Sequence, residues 1–240
     1  MISFIIPAYN EEKYISATLR NLKRLKSVPF EIVVSDDCSS DQTVAVAREL
    51  ADLVVLGNAR DNATISAARN RGAAQAHYPY LVFLDSTVRI ADPDKFFAIA
   101  LDCFKKDPQL VGLASYVRVE PESAKFPDNL IFGAYDLWYR FATNVLHIGL
   151  ASGKFQMVQA EAFRKSGGFN EALAAGEDIE FFGRLGKLGH LRLEPKLTIY
   201  HSGRRVHAMG WPKVIGLWTA NAVAMILFKK SASKVWEAIR

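Results

Sequence analysis

The chain has 240 residues, of which 50% are hydrophobic and 23% charged, so it can bury a large single core and is not intrinsically disordered. Its 15 Gly and 9 Pro follow no repeating period, which excludes collagen-like, low-complexity and solenoid folds. The two cysteines, Cys38 and Cys103, stand outside any CxxC or Cys/His cluster. We therefore predict no disulfide framework, no structural zinc site and a reducing, cytoplasmic location.

The formal net charge of +5 suits an anionic partner, such as a phosphate-bearing ligand or a membrane surface. The basic residues form neither an aromatic-interleaved platform nor a recognition-helix pattern, so a nucleic-acid partner is not expected. The chain starts without a basic region before its short apolar run, which predicts a first strand and not a signal peptide. Positive charge gathers near the end of the chain, at His201, Arg204, Arg205, His207, Lys213, Lys229, Lys230, Lys234 and Arg240.

The first half alternates β-branched runs with helical patterns, which is typical of βαβ units in an α/β fold with a mostly parallel sheet flanked by helices. The run YLVFL predicts a central strand buried on both faces, with a ligand at its carboxyl end. The predicted strands are Ser3–Pro7, Glu31–Ser35, Leu53–Leu56, Tyr80–Leu84 and Leu110–Val119. The predicted helices are Ile15–Leu25, Asp41–Leu50, Ser66–Ala76 and Asp92–Phe104.

The second half loses this alternation and predicts an irregular region that shapes an acceptor site. The aromatic stretch Phe126–His147 has helical spacing; packing in the core is favoured, and a lipid-acceptor surface is the alternative. A strand at Phe155–Val158 and helices at Ala160–Lys165 and Glu177–Leu188 follow. Because no linker of domain size is present, we predict one domain over 1–205, with a nucleotide-binding half at 1–120, an acceptor half at 121–205, and a helical tail at 206–240.

The tail contains an apolar stretch, Trp211–Phe228, that is about as long as a membrane span but is interrupted by Lys213, Thr219 and Asn221. Three arrangements remain open: a helix packed on the domain, a helix at a membrane interface, and a true span. Together with the basic residues beside it, the stretch predicts contact of 211–240 with an anionic membrane surface. The protein would then lie peripherally on the inner face of the membrane.

Polar motifs follow three of the predicted strands. Pro7-Ala8-Tyr9-Asn10-Glu11-Glu12 follows the first strand, and its acids suit the first turn of the next helix. Asp36-Asp37-Cys38-Ser39-Ser40-Asp41 follows the second strand. Capping of the next helix explains Asp41. The adjacent acids Asp36 and Asp37 repel each other unless a ligand or the backbone donates hydrogen bonds to them. Asp85-Ser86-Thr87 follows the central strand, where an acid can face a ribose or a metal.

Two further motifs carry charge in predicted helices. Ser66-Ala67-Ala68-Arg69-Asn70-Arg71-Gly72 can present Arg69 to a base edge or a diphosphate. Gly176-Glu177-Asp178-Ile179-Glu180 begins a helix with acids, which are usually dipole partners but can also include a general base. If it faces a pocket, Asp178 can accept a proton from an attacking hydroxyl.

In this order, the motifs PAYNEE, SDDCSSDQT, SAARNRGAA, YLVFLDS, GGFNE and GEDIEFFGRLGKLGH resemble glycosyltransferase family 2. The resemblance covers about residues 1–205 and implies the nucleotide-sugar-binding GT-A fold. It implies an inverting transferase that moves a sugar from a nucleotide-diphosphate sugar to a glycan or lipid-linked acceptor. Synthesis of a surface glycan or glycolipid is the expected context.

The resemblance also implies roles for individual residues. Asp178, in its pair with Glu177, would be the base that deprotonates the acceptor hydroxyl in a single displacement. Asp37 would contact the base of the nucleotide, and Arg69 would lie beside base and diphosphate. The remaining residues implied for nucleotide-sugar binding are Pro7, Ala8, Tyr9, Glu11, Asp85 and Ser86.

The chain departs from the family pattern at its metal motif. The family carries Asp-x-Asp after the central strand, whereas this chain has Asp85-Ser86-Thr87, and a neutral hydroxyl is a weak ligand for Mg²⁺ or Mn²⁺. Three outcomes remain open. Asp85 alone holds the metal weakly, or His201 supplies a further ligand. Alternatively, the diphosphate is neutralised without metal by the cations Arg89, Arg204 and Arg205.

Two other classes of protein compete with the transferase. A nucleotidyltransferase expects a Gly-rich, basic loop after the first strand, where this chain has the acidic PAYNEE. A non-catalytic protein that binds nucleotide sugars or acts as a scaffold would explain Thr87, but it gives no reason for the pair Glu177-Asp178. The sequence therefore favours the enzyme and leaves the scaffold as the alternative.

Overall fold

The computed structural model describes residues 1–58, 64–228 and 230–233. Its strands and helices alternate regularly up to residue 119 and irregularly beyond it. The strands are β1 (Ile2–Ala8), β2 (Phe30–Asp36), β3 (Leu53–Leu56), β4 (Tyr80–Leu84), β5 (Val88–Arg89), β6 (Leu110–Val119), β7 (Phe155–Gln159) and β8 (His190–His201). The helices are α1 (Ile15–Leu22), α2 (Thr43–Leu50), α3 (Ile65–Ala73), α4 (Pro93–Lys106), α5 (Phe126–Asn144), α6 (Ala160–Ser166), α7 (Glu177–Leu185), α8 (Arg204–Met209) and α9 (Trp211–Phe228).

The described strands form one sheet in the order β3-β2-β1-β4-β7-β6-β8-β5. The four strands β3, β2, β1 and β4 run parallel, as the βαβ pattern predicts. Beyond β4 the sheet is mixed: β7 runs antiparallel to both β4 and β6, β6 is parallel to β8, and β5 is antiparallel to β8. The predicted α/β fold is confirmed, and its parallel character belongs mainly to the first half.

The sheet is covered on both faces by apolar side chains. Along β4, Val82 and Leu84 belong to one core and Leu81 and Phe83 to the other, so the prediction of a central strand buried on both faces is confirmed. Burial on both faces explains why this strand lacks the alternation of polar and apolar residues that a half-exposed strand shows. Its last residue carries the chain to the carboxyl edge of the sheet, where Asp85 follows.

The structure adds elements that the sequence pattern hides. Strand β8 has 12 residues, of which only the run Thr198-Ile199-Tyr200 is recognisable as apolar and β-branched. Its pairing with β6 shifts register at two points, and at the larger shift Ser115 pairs with Glu194 and the next residue, Tyr116, with Thr198. Such a bulge interrupts the period of two on which strand prediction relies.

Helix α9 packs on the domain, which is one of the three arrangements expected for the tail. Val214 and Met225 are buried, and Trp211 and Trp218 lie against Phe132 of α5. Over the residues that the structure describes, no helix is both long and apolar enough to cross a membrane. The predicted membrane contact of 211–240 stays a prediction, since Lys229 and residues 234–240 lie outside the described residues.

Candidate active site

A cavity of about 780 Å³ opens at the carboxyl ends of β1, β2 and β4. Parallel strands end at the same edge of a sheet, so the polar motifs that follow them meet there. The second half closes the cavity with the start of α7, the end of β8, α8, and the inner face of α5. The residues that the sequence assigned to catalysis, nucleotide-sugar binding and metal binding all line this cavity, namely Pro7, Ala8, Tyr9, Glu11, Asp37, Arg69, Asp85, Ser86, Glu177, Asp178 and His201. Their individual roles stay predictions.

The loops after β1 and β2 hold each other in place. The side-chain oxygen of Asn10 accepts a hydrogen bond from the backbone N–H of Ser40 at 2.8 Å, and the N–H of Asn10 donates to the hydroxyl of Ser39 at 2.8 Å. The N–H of Glu11 donates to the hydroxyl of Thr43 at 2.7 Å. These contacts fix the loop that presents Pro7 to Glu11 to the cavity.

The adjacent acids Asp36 and Asp37 have different partners. Asp36 is buried, and its carboxylate accepts hydrogen bonds from the backbone N–H and the hydroxyl of Ser39. The Oδ1 atom of Asp37 lies 3.2 Å from Nη2 of Arg71. The repulsion expected between two neighbouring carboxylates is thus offset, and Asp37 stays on the cavity wall.

Helix α3 explains why its motif contains both small and charged residues. Gly72 packs against β1 so closely that a Cβ atom there would lie 2.6 Å from Cγ2 of Ile5. With the helix held this near the sheet, three successive side chains reach three different partners. Arg69 enters the cavity, Asn70 binds the backbone of Phe169, and Arg71 binds Asp37.

Arg69 connects the two halves of the site. Its guanidinium is buried, with Nη1 2.9 Å from Oε1 of Glu177 and Nη2 2.8 Å from the carbonyl oxygen of Gly153. The same Nη2 lies 3.4 Å from Oδ1 of Asp85, and the guanidinium sits 5.0 Å from the ring centre of Phe169. A buried cation with two carboxylates in contact fixes the positions of both acids.

Glu177 is buried and Asp178 is half-buried at the first turn of α7. Burial, and next the charge of Asp178, raise the pKa of Glu177 to about 7 despite its contact with Arg69. Burial also raises the pKa of Asp178, against the opposing effects of Arg69 and of hydrogen bonds from backbone N–H groups. Those donors are Gly153, 2.7 Å from Oδ2, and Ile179, 2.9 Å from Oδ1. The Asp178 carboxylate is therefore held rigidly on the cavity wall with a pKa moved toward neutrality.

Arg204 is a cation of the site whose partner the sequence does not show. Its two terminal nitrogens bind the two carboxylate oxygens of Glu11 at 2.7 and 2.5 Å. The guanidinium also lies 5.0 Å from the ring centre of Tyr14. Arg89, which was grouped with Arg204 as a cation for a diphosphate, instead binds Glu120 with both Nε and Nη2 and does not line the cavity.

The residues at Asp85 do not fit a divalent cation. Asp85 is the only acid of its triplet, and cations lie beside both of its oxygens: Arg69 beside Oδ1, and Lys154, with Nζ 3.6 Å away, beside Oδ2. The described residues include no group of three or more His, Cys, Asp or Glu side chains placed to hold a metal. A hard cation prefers several oxygen ligands, whereas the one carboxylate present here already contacts two cations.

His201 is placed as a buried wall residue. Its Nδ1 accepts a hydrogen bond from the N–H of Gly203 at 3.1 Å, and its ring meets that of Phe132 edge to face at 5.1 Å. Burial, and next the charge of Lys154, hold the pKa of His201 well below its usual value. The ring is therefore neutral with its proton on Nε2, which is the form that leaves no nitrogen lone pair for a metal.

The inner face of α5 also lines the cavity, with Phe132, Tyr135, Asp136 and Tyr139. Asp136 binds Arg118 of β6, and burial raises its pKa to about 6 in spite of this contact. The prediction that these aromatics pack in the core holds for Phe132 but not for the outer face, where Phe126, Trp138 and Phe141 are exposed. Helical spacing alone cannot assign aromatics to a face, because both faces of this helix carry them.

Comparison with known proteins agrees with this architecture. Residues 3–167 match Glycosyl transferase family 2, and the chain belongs to this family. The poly-beta-1,6-N-acetyl-D-glucosamine synthase of Staphylococcus aureus strain COL is 30% identical over 126 residues, which are 51% of this chain and 30% of that protein. The chain thus spans under a third of this relative. Family membership sets the nucleotidyltransferase alternative aside.

Two solved structures are similar in fold. The structure of S. aureus TarS 1-349 in complex with UDP-GlcNAc has a TM-score of 0.64 at 22% identity and covers 83% of this chain and 57% of that one. The mannosyltransferase PcManGT from Pyrobaculum calidifontis, in complex with GDP-Man and Mn²⁺, has a TM-score of 0.72 at 19% identity, with 93% and 61% covered. These likenesses confirm the predicted GT-A class of fold.

Proposed function

We propose that the chain is an inverting glycosyltransferase that moves a sugar from a nucleotide-diphosphate sugar to a hydroxyl acceptor. The observation that carries this proposal is the position of Asp178 on the wall of a cavity lined by the nucleotide motifs. Its carboxylate is fixed by two backbone N–H groups and has a raised pKa, as a general base working near neutral pH requires.

In this proposal, the loops after β1 and β2 hold the nucleoside. Tyr9 offers a half-exposed ring to a flat base, and Asp37 offers carboxylate oxygens to its N–H groups. Asp85 and Ser86 follow the central strand and face the ribose and the first phosphate. The neighbours crystallised with UDP-GlcNAc and GDP-Man support a donor of this chemical class.

The reaction is a single displacement. The acceptor oxygen forms a bond to the anomeric carbon while the bond from that carbon to the phosphate oxygen breaks on the opposite face. Asp178 takes the hydroxyl proton, and the electron pair of the broken bond leaves on the nucleoside diphosphate. Glu177 does not touch the substrate in this scheme; with Arg69 it positions Asp178 and sets its charge environment.

The test of this proposal is sugar transfer by the Asp178→Asn variant. Loss of the base should lower turnover by about 10²- to 10⁴-fold while leaving binding of the nucleoside diphosphate intact. Glu180→Gln is the matched control, because Glu180 lies on the same helix but binds Arg184. Release of UDP, GDP or dTDP from the corresponding sugars, with water as the minimal acceptor, is the readout. Binding without release for every donor would instead support the scaffold alternative.

We also propose that the acceptor is lipid-linked and reaches the cavity from an anionic membrane. Helix α5 lines the cavity with its inner face. Its outer face and the segment that follows it expose an apolar stripe: Phe126, Leu130, Leu137, Trp138 and Phe141 on the helix, and Val145, Leu146 and Ile148 after it. Between residues 125 and 148 the only acids, Asp128 and Asp136, are buried, whereas the cations Lys125 and Arg140 are exposed. An apolar stripe flanked by positive charge matches an anionic bilayer surface.

Flotation with vesicles tests this membrane contact. The protein should float with vesicles of phosphatidylglycerol and phosphatidylcholine but not with phosphatidylcholine alone, and Leu137→Glu/Phe141→Glu should abolish flotation. Leu188→Glu is the control, because Leu188 is equally apolar and exposed but lies after α7. The alternative outcome is that neither protein floats, the wild-type protein is a dimer and the double variant is a monomer. The stripe would then be a contact between copies of the chain.

A further inference from the structure

The surroundings of Asp85 suggest how the diphosphate is held. Strand β7 runs antiparallel to β4 with Leu84 opposite Phe155, so the residues that follow and precede this pair, Asp85 and Lys154, also lie side by side. The backbone N–H of Asp85 donates to the carbonyl oxygen of Lys154 at 3.3 Å. This register places Nζ of Lys154 at 3.6 Å from Oδ2 of Asp85, on the wall of the cavity.

The position of this lysine has a direct chemical consequence. An ammonium group has three N–H donors, and the contact with Asp85 occupies one direction only. The side chain is 24% exposed, and its carboxylate partner 26%, so both groups face the cavity. Arg204 and Arg205 line the same cavity. Burial first, and then the charges of these two arginines, lower the pKa of Lys154, while Asp85 opposes this effect. The cavity wall near Asp85 thus carries cations that are already in contact with carboxylates: Arg69, Lys154 and Arg204.

We propose that Lys154 takes the place of the divalent cation and binds the diphosphate of the donor directly. Asp85 then holds an ammonium group where an Asp-x-Asp pair would hold a metal, which explains why the second acid can be Thr87. This inference rests on the proposed sugar transfer. When the bond between the anomeric carbon and phosphate oxygen breaks, the electron pair stays on that oxygen, and hydrogen bonds from Lys154 stabilise its charge without proton transfer.

The competing arrangement is a metal at Asp85 that displaces the lysine. Such an ion would approach two cations, Arg69 and Lys154, and would find one carboxylate and the hydroxyl of Thr87 as side-chain ligands. The carbonyl oxygen of Ser86 already accepts a hydrogen bond from the hydroxyl of Thr18 at 2.8 Å. Like charges and a poor set of ligands both disfavour the metal.

Binding measurements separate the two arrangements without relying on turnover. By calorimetry, UDP, GDP and dTDP are each compared with the corresponding nucleoside, in excess chelator and in excess Mn²⁺. We expect the preferred nucleoside diphosphate to bind in excess chelator, and its affinity in excess Mn²⁺ to differ from that value by less than about twofold. Lys154→Met should weaken the diphosphate about tenfold or more and leave the nucleoside unchanged, because a charged hydrogen bond to phosphate is lost.

Three variants complete the test. Lys154→Arg keeps a cation and should retain most of the affinity, and Lys165→Met removes an exposed lysine paired with Glu161 and should change nothing. In Lys154→Met/Thr87→Asp, a restored second acid should make diphosphate binding depend on Mn²⁺. Thermal unfolding of each variant shows whether it folds.

The outcomes also separate this inference from the proposed function. If no nucleoside diphosphate binds the wild-type protein, the proposed function itself fails. If the wild-type protein binds only in Mn²⁺, and Lys154→Met binds equally well, the transferase stands and the role of Lys154 is refuted.

Discussion

Each half of the chain contributes both acids and cations to the cavity, and ion pairs join groups of one half to groups of the other. Residues 1–120 supply Glu11 and Asp85, whose cationic partners Arg204 and Lys154 come from the second half. In the reverse direction, Arg69 of the first half pairs with Glu177 of the second. Neither half contains a complete site, so the ion pairs that cross between them assemble it.

The halves also differ in how each holds its own residues. In the first half, short hydrogen bonds between neighbouring loops, such as those of Asn10 with Ser39 and Ser40, fix the site locally. The second half uses buried carboxylates as hubs: Asp128 accepts hydrogen bonds from Trp211 at 2.7 Å and from the N–H of Lys125 at 2.8 Å, and contacts His207 at 2.8 Å. We therefore expect the loss of a contact between the halves to lower the free energy of unfolding more than the loss of a local contact. We order four predictions by the size of the effect expected, the largest first.

The largest effect is expected from Arg69→Met. This change leaves the buried Glu177 without its cation and removes one of the two cations beside the half-buried Asp85. Breaking one partner of a buried ion pair costs about 3–5 kcal/mol. The control is Arg71→Met, which breaks a pair within the first half between partly exposed groups and should cost about 1–2 kcal/mol. Urea unfolding measures both. If both variants lost the same free energy of unfolding, contacts between the halves would contribute no more to stability than local ones.

The second prediction concerns pH and the pair Glu177-Asp178. The pKa of Glu177 rises from 4.5 to about 7 on folding, because of burial first and the charge of Asp178 second. Between these values the folded chain holds a proton that the unfolded chain has lost, so the free energy of unfolding falls as the pH rises. Above about 7 the loss is complete, and it amounts to at most about 3 kcal/mol.

Glu177→Gln tests this pH dependence, because glutamine cannot ionise but still accepts a hydrogen bond from Arg69. Subtracting the unfolding free energy of the variant from that of wild type, at intervals from pH 4 to 8, isolates the contribution of Glu177. We expect the difference to become more negative with rising pH and to level off above neutrality. A difference that does not change with pH would mean that the contact with Arg69 fully offsets the effect of burial on the pKa of Glu177.

Much of the first half of the site could be predicted from sequence, for a physical reason. Strands of βαβ units run parallel, so polar residues after Pro7, Ser35 and Leu84 must meet at one edge without further information. The acid Asp178 was predictable as well, since it lies at the start of a clear helix inside a motif.

The partners across the halves were not predictable. Lys154 reaches Asp85 only because β7 runs antiparallel beside β4, and no local pattern shows the direction or neighbour of a short strand. Arg204 and Glu11 are 193 positions apart in sequence. On α5, Phe132 is buried and Phe141 exposed although both fit a helical pattern, and only the packing of other elements decides between them.

A third prediction compares the neighbouring glycines Gly167 and Gly168. Both have a positive φ, 80° and 73°, so alanine is strained at either position by about 1 kcal/mol. At Gly167 a Cβ atom would meet nothing within 4 Å, whereas at Gly168 it would lie 2.6 Å from Oδ1 of Asn70 in the first half. We expect Gly168→Ala to cost about 2–3 kcal/mol, and thermal unfolding of the two variants measures the difference. Equal costs would mean that Asn70 moves aside freely.

The smallest effect is expected at a contact within the first half. Thr64 begins α3, and its hydroxyl accepts a hydrogen bond from the N–H of Ala67 at 3.1 Å. Thr64→Ala should lower the free energy of unfolding by about 1 kcal/mol, the usual cost of losing such a cap, and Thr64→Ser should restore it. The helix keeps its packing on β1 through Gly72 in both variants, so Arg69 stays in position. If Thr64→Ala cost as much as Arg69→Met, the local start of α3 would control the site as strongly as the crossing ion pairs, and the proposed ranking would be wrong.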